Sequence, residues 1–328
     1  MNISIVVPCL NEEKNIRRCL ESLVRQNYSG GFEILVVDNG SRDRSQEITA
    51  DFSTFQPEVR LILESREGTA AARNTGVRNA RYDFLAFTDA DCEVPVNWLS
   101  LLAKKYREAK PEDQNVIAVG GRNIAPEDAS PFVKAIEIVL DSYLGSFSSV
   151  QGRQFPHPVF VSSLSMTNAL YEKEKLVGVG GFDESLGREA EDAEINFRLI
   201  RAGYKFLFVP ESFVWHRMRS SPRQWVKNMF RYGKGRARLL KRYPKMWNIH
   251  FTLPLFFLGI FVWVFLSAVS AVFLLPLFYF PLILGISLFQ TFRKKMWSSL
   301  GYVALIYILQ HFGYAAGEFY GLINPRVK

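Results

Sequence analysis

A strand that opens directly into a helix lies at residues 33–43, whose sequence is EILVVDNGSRD. The apolar run at 33–37 is typical of a buried strand in a parallel sheet. Asp38 ends that strand, and Gly40 in the next turn permits a tight change of direction. Asp38 is therefore placed to accept hydrogen bonds from a base or a ribose, although Asx turn chemistry and a helix cap explain the same residues equally well.

The same alternation of apolar runs and helical spacing extends over the first third of the chain. It predicts an α/β fold, a Rossmann-like and mostly parallel sheet with helices on its faces, in which ligands bind at the carboxyl ends of the strands. We predict strands at 3–7, 33–37, 59–63, 84–87, 116–119, 165–171 and 204–209. We predict helices at 12–26, 44–50, 69–80 and 193–201, and an amphipathic stretch at 130–147.

The 328 residues, 48% of them hydrophobic, divide into two unlike parts. Residues 251–292 contain no Asp, Glu, Lys, Arg or His, whereas the chain before them is charged throughout. One helix of that length would be about twice as long as the ~30 Å core of a bilayer is thick. We therefore expect a transmembrane hairpin that turns near Pro276 and Pro281. A third crossing is expected at about 296–317, with an interfacial helix as the alternative.

The positive charge is concentrated in one segment. Residues 217–245 hold 11 of the 40 basic residues and no acidic ones, so the rest of the chain carries 29 basic against 32 acidic residues. This distribution disfavours a general nucleic-acid binder, whose basic residues would spread over the folded domain. Residues 217–250 instead predict an amphipathic helix at a membrane interface, and the positive-inside rule places that side in the cytoplasm.

The cysteines and the amino terminus indicate a reducing compartment. Cys9, Cys19 and Cys92 form no Cys-x-x-Cys pair and no disulfide framework. The short apolar start is not a secretory signal, because it lacks a basic leader and runs into Pro8. We therefore expect the N-terminal domain to stay in the cytosol.

Two carboxylates follow the predicted strand at 84–87. In an extended chain Asp89 and Asp91 share one face and would bind a divalent cation through oxygen, Mg²⁺ or Mn²⁺. A polar turn is the alternative, since Asp is common in turns. Arg66 and Arg73 lie around the start of the predicted helix at 69–80, where guanidinium groups and backbone amides suit phosphate. A solvated helix face is the alternative explanation for these residues.

Acidic residues crowd again at 189–194, where Glu191 and Asp192 stand among other carboxylates. Such crowding raises a carboxyl pKa, which is useful for a general base, but an acidic helix N-terminus explains the cluster as well. His216 becomes a candidate ligand only because a carboxylate metal site is already suspected. The chain lacks both Gly-x-Gly-x-x-Gly and the phosphate-loop lysine motif, so a dinucleotide dehydrogenase or P-loop NTPase is disfavoured.

Over residues 2–216 this order of motifs resembles the inverting nucleotide-sugar glycosyltransferases of family two, which have the GT-A fold. The motifs are 3–8 with 11–12, 37–41, 72–76, 89–91, 180–184, 191–192 and 215–216. One departure is Asn39, where many members have a second Asp.

The resemblance implies a role for each matching residue. The nucleotide-sugar pocket would contain Pro8, Asn11, Glu12, Asp38, Asn39, Arg66, Arg73, Asp89 and Ala90. The metal, Mn²⁺ or Mg²⁺, would be bound by Asp91 and His216, the catalytic base would be Asp192 beside Glu191, and the acceptor would contact Asp183 and Glu184.

The resemblance also implies a reaction, a single displacement that inverts the anomeric carbon of a nucleotide sugar, with a UDP-sugar as the expected donor. We expect a lipid-linked saccharide as the acceptor. The alternative acceptor is a polyprenyl phosphate, which is already ionised and needs no base. A catalytically silent nucleotide-sugar-binding membrane protein is the alternative from another class, and a processive synthase is disfavoured.

The predicted organisation has three parts. Residues 1–216 form a GT-A glycosyltransferase domain, 217–250 a basic interfacial segment, and 251–322 a transmembrane region with a hairpin at about 251–292. The expected location is the cell membrane, with several crossings and the catalytic domain in the cytoplasm.

Overall fold

The computed structural model describes residues 1–146, 149–186, 189–218, 220–247 and 259–324. It consists of two units. The sheet unit comprises Met1–Pro126 and Ser149–Arg217, and the helical unit comprises Glu127–Ser148 and Met218–Lys328.

The sheet unit contains a single mixed sheet in its described residues. The strand order is β3-β2-β1-β4-β8-β6-β9-β5, and β7 pairs with β9. The strands are β1 (Ile3–Cys9), β2 (Phe32–Asp38), β3 (Val59–Leu63), β4 (Phe84–Phe87), β5 (Cys92–Glu93), β6 (Val116–Ile124), β7 (Val159–Val161), β8 (Ala169–Glu172) and β9 (Lys205–His216).

The helices of the sheet unit connect these strands. They are α1 (Ile16–Val24), α2 (Ser45–Ala50), α3 (Thr69–Asn79), α4 (Trp98–Glu112), α7 (Lys173–Gly178) and α8 (Glu191–Arg201). The helices of the helical unit are α5 (Pro131–Leu140), α6 (Tyr143–Ser146), α9 (Pro222–Arg242), α10 (Ile260–Leu266), α11 (Tyr279–Arg293) and α12 (Leu300–Ile323).

The predicted α/β fold is confirmed: the sheet is mixed, and six of its nine described strands run in one direction, whereas β5, β7 and β8 run against them. Strands β1 to β4 pair in parallel, as does β6 with β9. Strand β8 runs antiparallel to both β4 and β6, and β5 and β7 run antiparallel to β9. An apolar run predicts that a strand is buried but not its direction, which depends on how the connecting chain returns to the sheet.

Side-chain alternation builds a core on each face of the sheet. Ile3, Ile5 and Val7 pack with α1 and α4, whereas Val6 packs with α3 and α8 on the other face. All three cysteines are free and buried, in agreement with the expected absence of disulfides.

The helical unit includes a segment that the predicted domain 1–216 contained. Helix α5 begins after Ser130, whose side chain accepts a hydrogen bond from the Val133 backbone N–H. Its apolar face packs with α9, α11 and α12, through contacts that include Ile136, Trp225 and Ile306. Residues 127–148 therefore belong with the C-terminal helices rather than with the sheet, because that is where the apolar stripe of α5 is buried.

The expected membrane crossings find no support. None of the described helices is both long enough and apolar enough to span a bilayer. Helices α10 and α11 have 7 and 15 residues, against the about 20 that a crossing needs. Helix α12 has 24 residues but includes Gln310, His311 and Glu318. Residues 251–258 of the predicted hairpin lie outside the described residues.

Gly76 sets how closely α3 approaches β1. A Cβ atom at Gly76 would collide with the side chain of Val6, which is buried and β-branched. We expect Gly76→Ala to lower the free energy of unfolding by about 1–3 kcal/mol through overpacking, measured by urea denaturation. The matched control is Gly178→Ala, where nothing lies within 4 Å of the added methyl group. Equal stabilities of the two variants would contradict this account.

Candidate active site

The carboxyl ends of β1, β2 and β4 meet at one edge of the sheet. Parallel pairing sets Cys9 of β1 opposite Asp38 of β2 and Val6 opposite Phe87 of β4. The segments that follow these strands, which include Asn11 and Asp89, therefore emerge side by side.

Asp38 is buried, and its two oxygens differ. Its Oδ1 accepts hydrogen bonds from the backbone N–H groups of Gly40 and Ser41, at 3.1 and 3.0 Å, and from Gln46 Nε2 at 2.7 Å. Its Oδ2 is buried and has no hydrogen-bond partner among the described residues. An N–H donor from a ligand would satisfy that oxygen.

The segments after β1 and β2 are joined by side chains. The Asn11 backbone N–H donates to Ser41 Oγ at 2.8 Å, and Asn11 Oδ1 accepts from the Arg42 backbone N–H at 2.8 Å. The Glu12 backbone N–H donates to Ser45 Oγ at 2.8 Å. These bonds place Asn11 and Glu12 beside Asp38, and Pro8 pairs with Val37 in the adjoining strands. The structure thus brings these four predicted pocket residues together.

Asn39 holds the segment that follows β3. Its Nδ2 donates to the carbonyl oxygens of Glu64 and Arg66, at 3.1 and 2.6 Å, and its Oδ1 accepts from the Gly68 backbone N–H at 2.8 Å. An Asp at this position could not donate hydrogen bonds to these two carbonyl oxygens. Asn39 therefore has a structural role that the sequence analysis did not predict. Its predicted contact with the nucleotide stays a prediction.

Arg66 links the end of β3 to the predicted acceptor residues. It is half exposed and bonds Glu64 Oε2 and Glu184 Oε2, each at 2.6 Å. Hydrogen bonds from Arg66 lower the pKa of Glu64 to about 2. Glu64 was missed in the sequence analysis, although a carboxylate that directly follows a strand is the signal that identified Asp38 and Asp89.

The loop that carries Asp183 and Glu184 is fastened by α3. Asn74 Nδ2 donates to the Phe182 carbonyl oxygen at 2.8 Å and to Glu184 Oε1 at 2.9 Å. Its Oδ1 accepts from the Phe182 backbone N–H at 2.8 Å. Asp183 Oδ1 accepts from the backbone N–H and the hydroxyl of Ser185. The two predicted acceptor residues therefore lie on one restrained loop.

Arg73 of α3 lies between Asp89, which follows β4, and the acidic residues at 189–194. Its Nη2 is 3.1 Å from Asp89 Oδ1, and its Nη1 is 2.5 Å from Glu191 Oε1. Thr167 Oγ1 donates to the other Asp89 oxygen at 2.9 Å. The structure thus joins the predicted donor residue Asp89, with buried Ala90 beside it, to the predicted catalytic pair.

The acidic residues at 189–194 differ in their surroundings. Glu191, Asp192 and Glu194 form the first turn of α8. Burial raises the pKa of Glu191, opposed by the charge of Arg73. Glu194 is buried in an ion pair with Arg198, whose Nε lies 2.7 Å from Glu194 Oε1. Asp192 is only half buried, so it is the more accessible residue of the predicted catalytic pair.

Asp91, Cys92 and His216 form a cluster that fits a metal ion. Antiparallel pairing of β5 with β9 sets Cys92 opposite His216, and His216 Nε2 lies 3.4 Å from Asp91 Oδ1. Mn²⁺ prefers oxygen and nitrogen ligands, whereas a thiol suits softer metals, so Cys92 is the least suitable ligand of the three side chains. The carboxylate and the imidazole suit Mn²⁺, as the sequence analysis expected for Asp91 and His216.

We therefore expect unequal effects from substitutions in this cluster. His216→Ala should weaken Mn²⁺ binding by at least about 10- to 100-fold. This is the loss of affinity usually seen when a residue that only hydrogen-bonds a metal ligand is replaced, and the loss of a ligand should be no smaller. Cys92→Ser should leave Mn²⁺ affinity close to that of the wild type. The measurement is electron paramagnetic resonance of free Mn²⁺ with UDP present. Equal losses in both variants would show that the thiol is a ligand.

Comparisons with known proteins find related sequences over most of the chain. Glycosyltransferase AglE of Haloferax volcanii is 28% identical over 241 residues, 72% of this chain and 73% of AglE. A second relative comes from Methanococcus voltae and is named dolichyl N-acetyl-alpha-D-glucosaminyl phosphate 3-beta-D-2,3-diacetamido-2,3-dideoxy-beta-D-glucuronosyltransferase. It is 27% identical to this chain, and the alignment covers 78% of each chain.

The fold has a solved counterpart. The mannosyltransferase PcManGT of Pyrobaculum calidifontis, solved with GDP-Man and Mn²⁺, aligns with a TM-score of 0.61 over 94% of this chain and 86% of its own, at 18% identity. Residues 4–174 match the sequence profile of Glycosyl transferase family 2, which is more than half of the chain. The protein belongs to Glycosyl transferase family 2.

Proposed function

We propose that the protein is a metal-dependent inverting glycosyltransferase that moves a sugar from a UDP-sugar to a hydroxyl of a lipid-linked saccharide. One observation carries the proposal. Half-buried Asp192 lies beside Glu191, and Arg73 joins Glu191 to Asp89 at the strand ends. This connection supports the proposal that a base and a donor-side carboxylate act in one site.

The donor pocket is formed by the segments after β1 and β2. The unpartnered Oδ2 of Asp38 would accept the ring N–H of uracil, and Pro8, Asn11 and Glu12 would line the nucleoside. Asp89 and Ala90 would face the ribose and diphosphate, and Asn39 and Arg66 would border the pocket. Asp91 and His216 would hold Mn²⁺ or Mg²⁺, which when bound neutralises the charge of the departing diphosphate.

Asp192 would act as the general base. It takes the proton from the acceptor hydroxyl while that oxygen attacks the anomeric carbon from the face opposite the diphosphate. One carbon–oxygen bond forms as the bond to the nucleoside diphosphate breaks, so the anomeric configuration inverts. Asp183 and Glu184 would orient the acceptor from their restrained loop.

A lipid-linked acceptor is supported by the Methanococcus voltae relative, whose name describes a dolichyl phosphate sugar as its substrate. A base also argues for a hydroxyl acceptor, because a polyprenyl phosphate is already ionised and has no proton to lose.

Substitution of Asp192 tests the base. Asp192→Asn should lower kcat about 10²- to 10⁴-fold, the usual contribution of a general base. The assay incubates membranes containing the protein with Mn²⁺ and a panel of labelled nucleotide sugars, and counts label in the organic extract.

Glu174→Gln is the matched control, because Glu174 is 84% exposed and lies outside the site. Transfer that persists in Asp192→Asn would indicate a phosphate acceptor, or a different base. Absence of transfer by the wild type with every donor would contradict the proposed function.

The helical unit supplies a surface that would hold the enzyme at a lipid bilayer, with the active site on the cytoplasmic side. Phe265 and Val269 are each 81% exposed, and Phe278, Phe289 and Phe292 are also exposed. The same unit carries the exposed cations Arg223, Lys227, Lys241, Arg242 and Lys245. Exposed apolar side chains together with cations are the combination that binds the interface of an anionic bilayer.

Vesicle binding tests this surface. The double variant R223Q/K227Q should lose about fivefold in affinity for phosphatidylglycerol vesicles for each charge removed, since one cation contributes about 1 kcal/mol. Sedimentation with vesicles measures the affinity. The control is R18Q/K104Q, which removes two exposed cations from the sheet unit. Equal binding to neutral and anionic vesicles would contradict an electrostatic contribution.

A further inference from the structure

Arg73 is a buried cation that touches two carboxylates from distant parts of the chain. Its side chain is 5% exposed, and its Nη2 and Nη1 bond Asp89, which follows β4, and Glu191, which begins α8. The ring of Phe182 lies against the guanidinium, with its centroid 5.9 Å from Cζ. Both terminal nitrogens are thus engaged with carboxylates, and the side chain has little exposed surface to offer a diphosphate.

Burial makes this arrangement rigid. A buried guanidinium is strongly destabilising unless its charge is balanced, and Arg73 Nε has no hydrogen-bond partner among the described residues, so the loss of either carboxylate would carry a large cost. The planar fork of Arg also fixes the directions of the two bonds, which a Lys ammonium does not. The spacing between Asp89 and Glu191 is therefore set by one side chain.

We propose that Arg73 is a positioning residue, which fixes the catalytic turn of α8 against the donor-side carboxylate Asp89, rather than a ligand of the donor phosphates. The inference rests on the proposed function, because it assigns Asp192 as the base. Asp192 follows Glu191 in the first turn of α8, so holding Glu191 also sets the direction of Asp192.

Arg73 also acts on Asp192 through its charge. The groups whose charges interact here are Arg73 of α3, Asp89 after β4, Glu191 and Asp192 of α8, and Tyr171 of β8. Burial raises the pKa of Tyr171, so it stays neutral. Among the described residues, Arg73 is therefore one cation whose charge favours the ionised form of Asp192, so its removal should make Asp192 harder to deprotonate.

The test compares Arg73→Met and Arg73→Lys with the wild type. Arg73→Met should lower kcat by about 100-fold, the loss that a small misplacement of a catalytic group causes. The acid limb of its pH–rate profile should move to higher pH, while the KM for the donor and the affinity for UDP with Mn²⁺ stay close to those of the wild type. Arg73→Lys keeps the charge but not the fork, so it should lower kcat without moving the acid limb.

Arg81→Met is the matched control, since Arg81 also contacts two carboxylates, Glu33 and Glu58, but is 54% exposed. It should leave kcat unchanged. A large loss of UDP affinity in Arg73→Met with kcat retained would make Arg73 a donor ligand and overturn the proposal. An equal fall in activity at every pH would show a merely structural role.

Two further measurements separate this inference from the proposed function. A wild type that transfers no sugar contradicts the function, whereas an active wild type with unaltered kcat and pH profile in Arg73→Met contradicts only the positioning role. The double variant R73M/E191Q removes both members of the buried Arg73–Glu191 pair, and only the partly exposed Asp89 then lacks its arginine. Its folding equilibrium constant should be more than tenfold larger than the value expected if the effects of R73M and E191Q were independent. Independent effects would contradict the buried ion pair, whatever the enzymatic result.

Discussion

Parallel pairing of β1 with β2 and β4 is the constraint on which the site depends. Because three strands end at the same edge, the polar residues that follow each of them converge, although the chain separates them widely. The register of Cys9 opposite Asp38 makes the next segments neighbours, and their side chains then bond to each other's backbone. Any shift in that register would separate the segments after β1 and β2 from the carboxylates after β4.

The converging carboxylates repel one another, and arginine side chains balance their negative charge. Arg73 balances Asp89 and Glu191 in a buried setting, and Arg66 balances Glu64 and Glu184 where water still reaches. The contacts of Arg73 restrain the positions of their carboxylates more strongly, because the loss of an ionic contact costs more free energy in surroundings of low dielectric constant. The contacts of Arg66 contribute less, since its guanidinium is half exposed and solvent screens its charge.

The helical unit shows how packing redirects a segment within the chain. Helix α5 follows β6 in sequence, yet its apolar face is buried among α9, α11 and α12. Polar contacts reinforce this placement, because the Tyr307 hydroxyl bonds both Ser142 Oγ, at 2.6 Å, and Gln290 Oε1, at 3.0 Å. An amphipathic pattern predicts that one face is buried but not which partner buries it.

The sequence by itself determined the strand–helix alternation and the polar residues after the strands, because each depends on local periodicity or residue chemistry. Only the tertiary structure decided the direction of β8, the place of His216 opposite Cys92 and the contact between Arg73 and Glu191. It also decided how the apolar C-terminal residues divide into helices. These features depend on pairing and packing between distant segments, which no local pattern encodes.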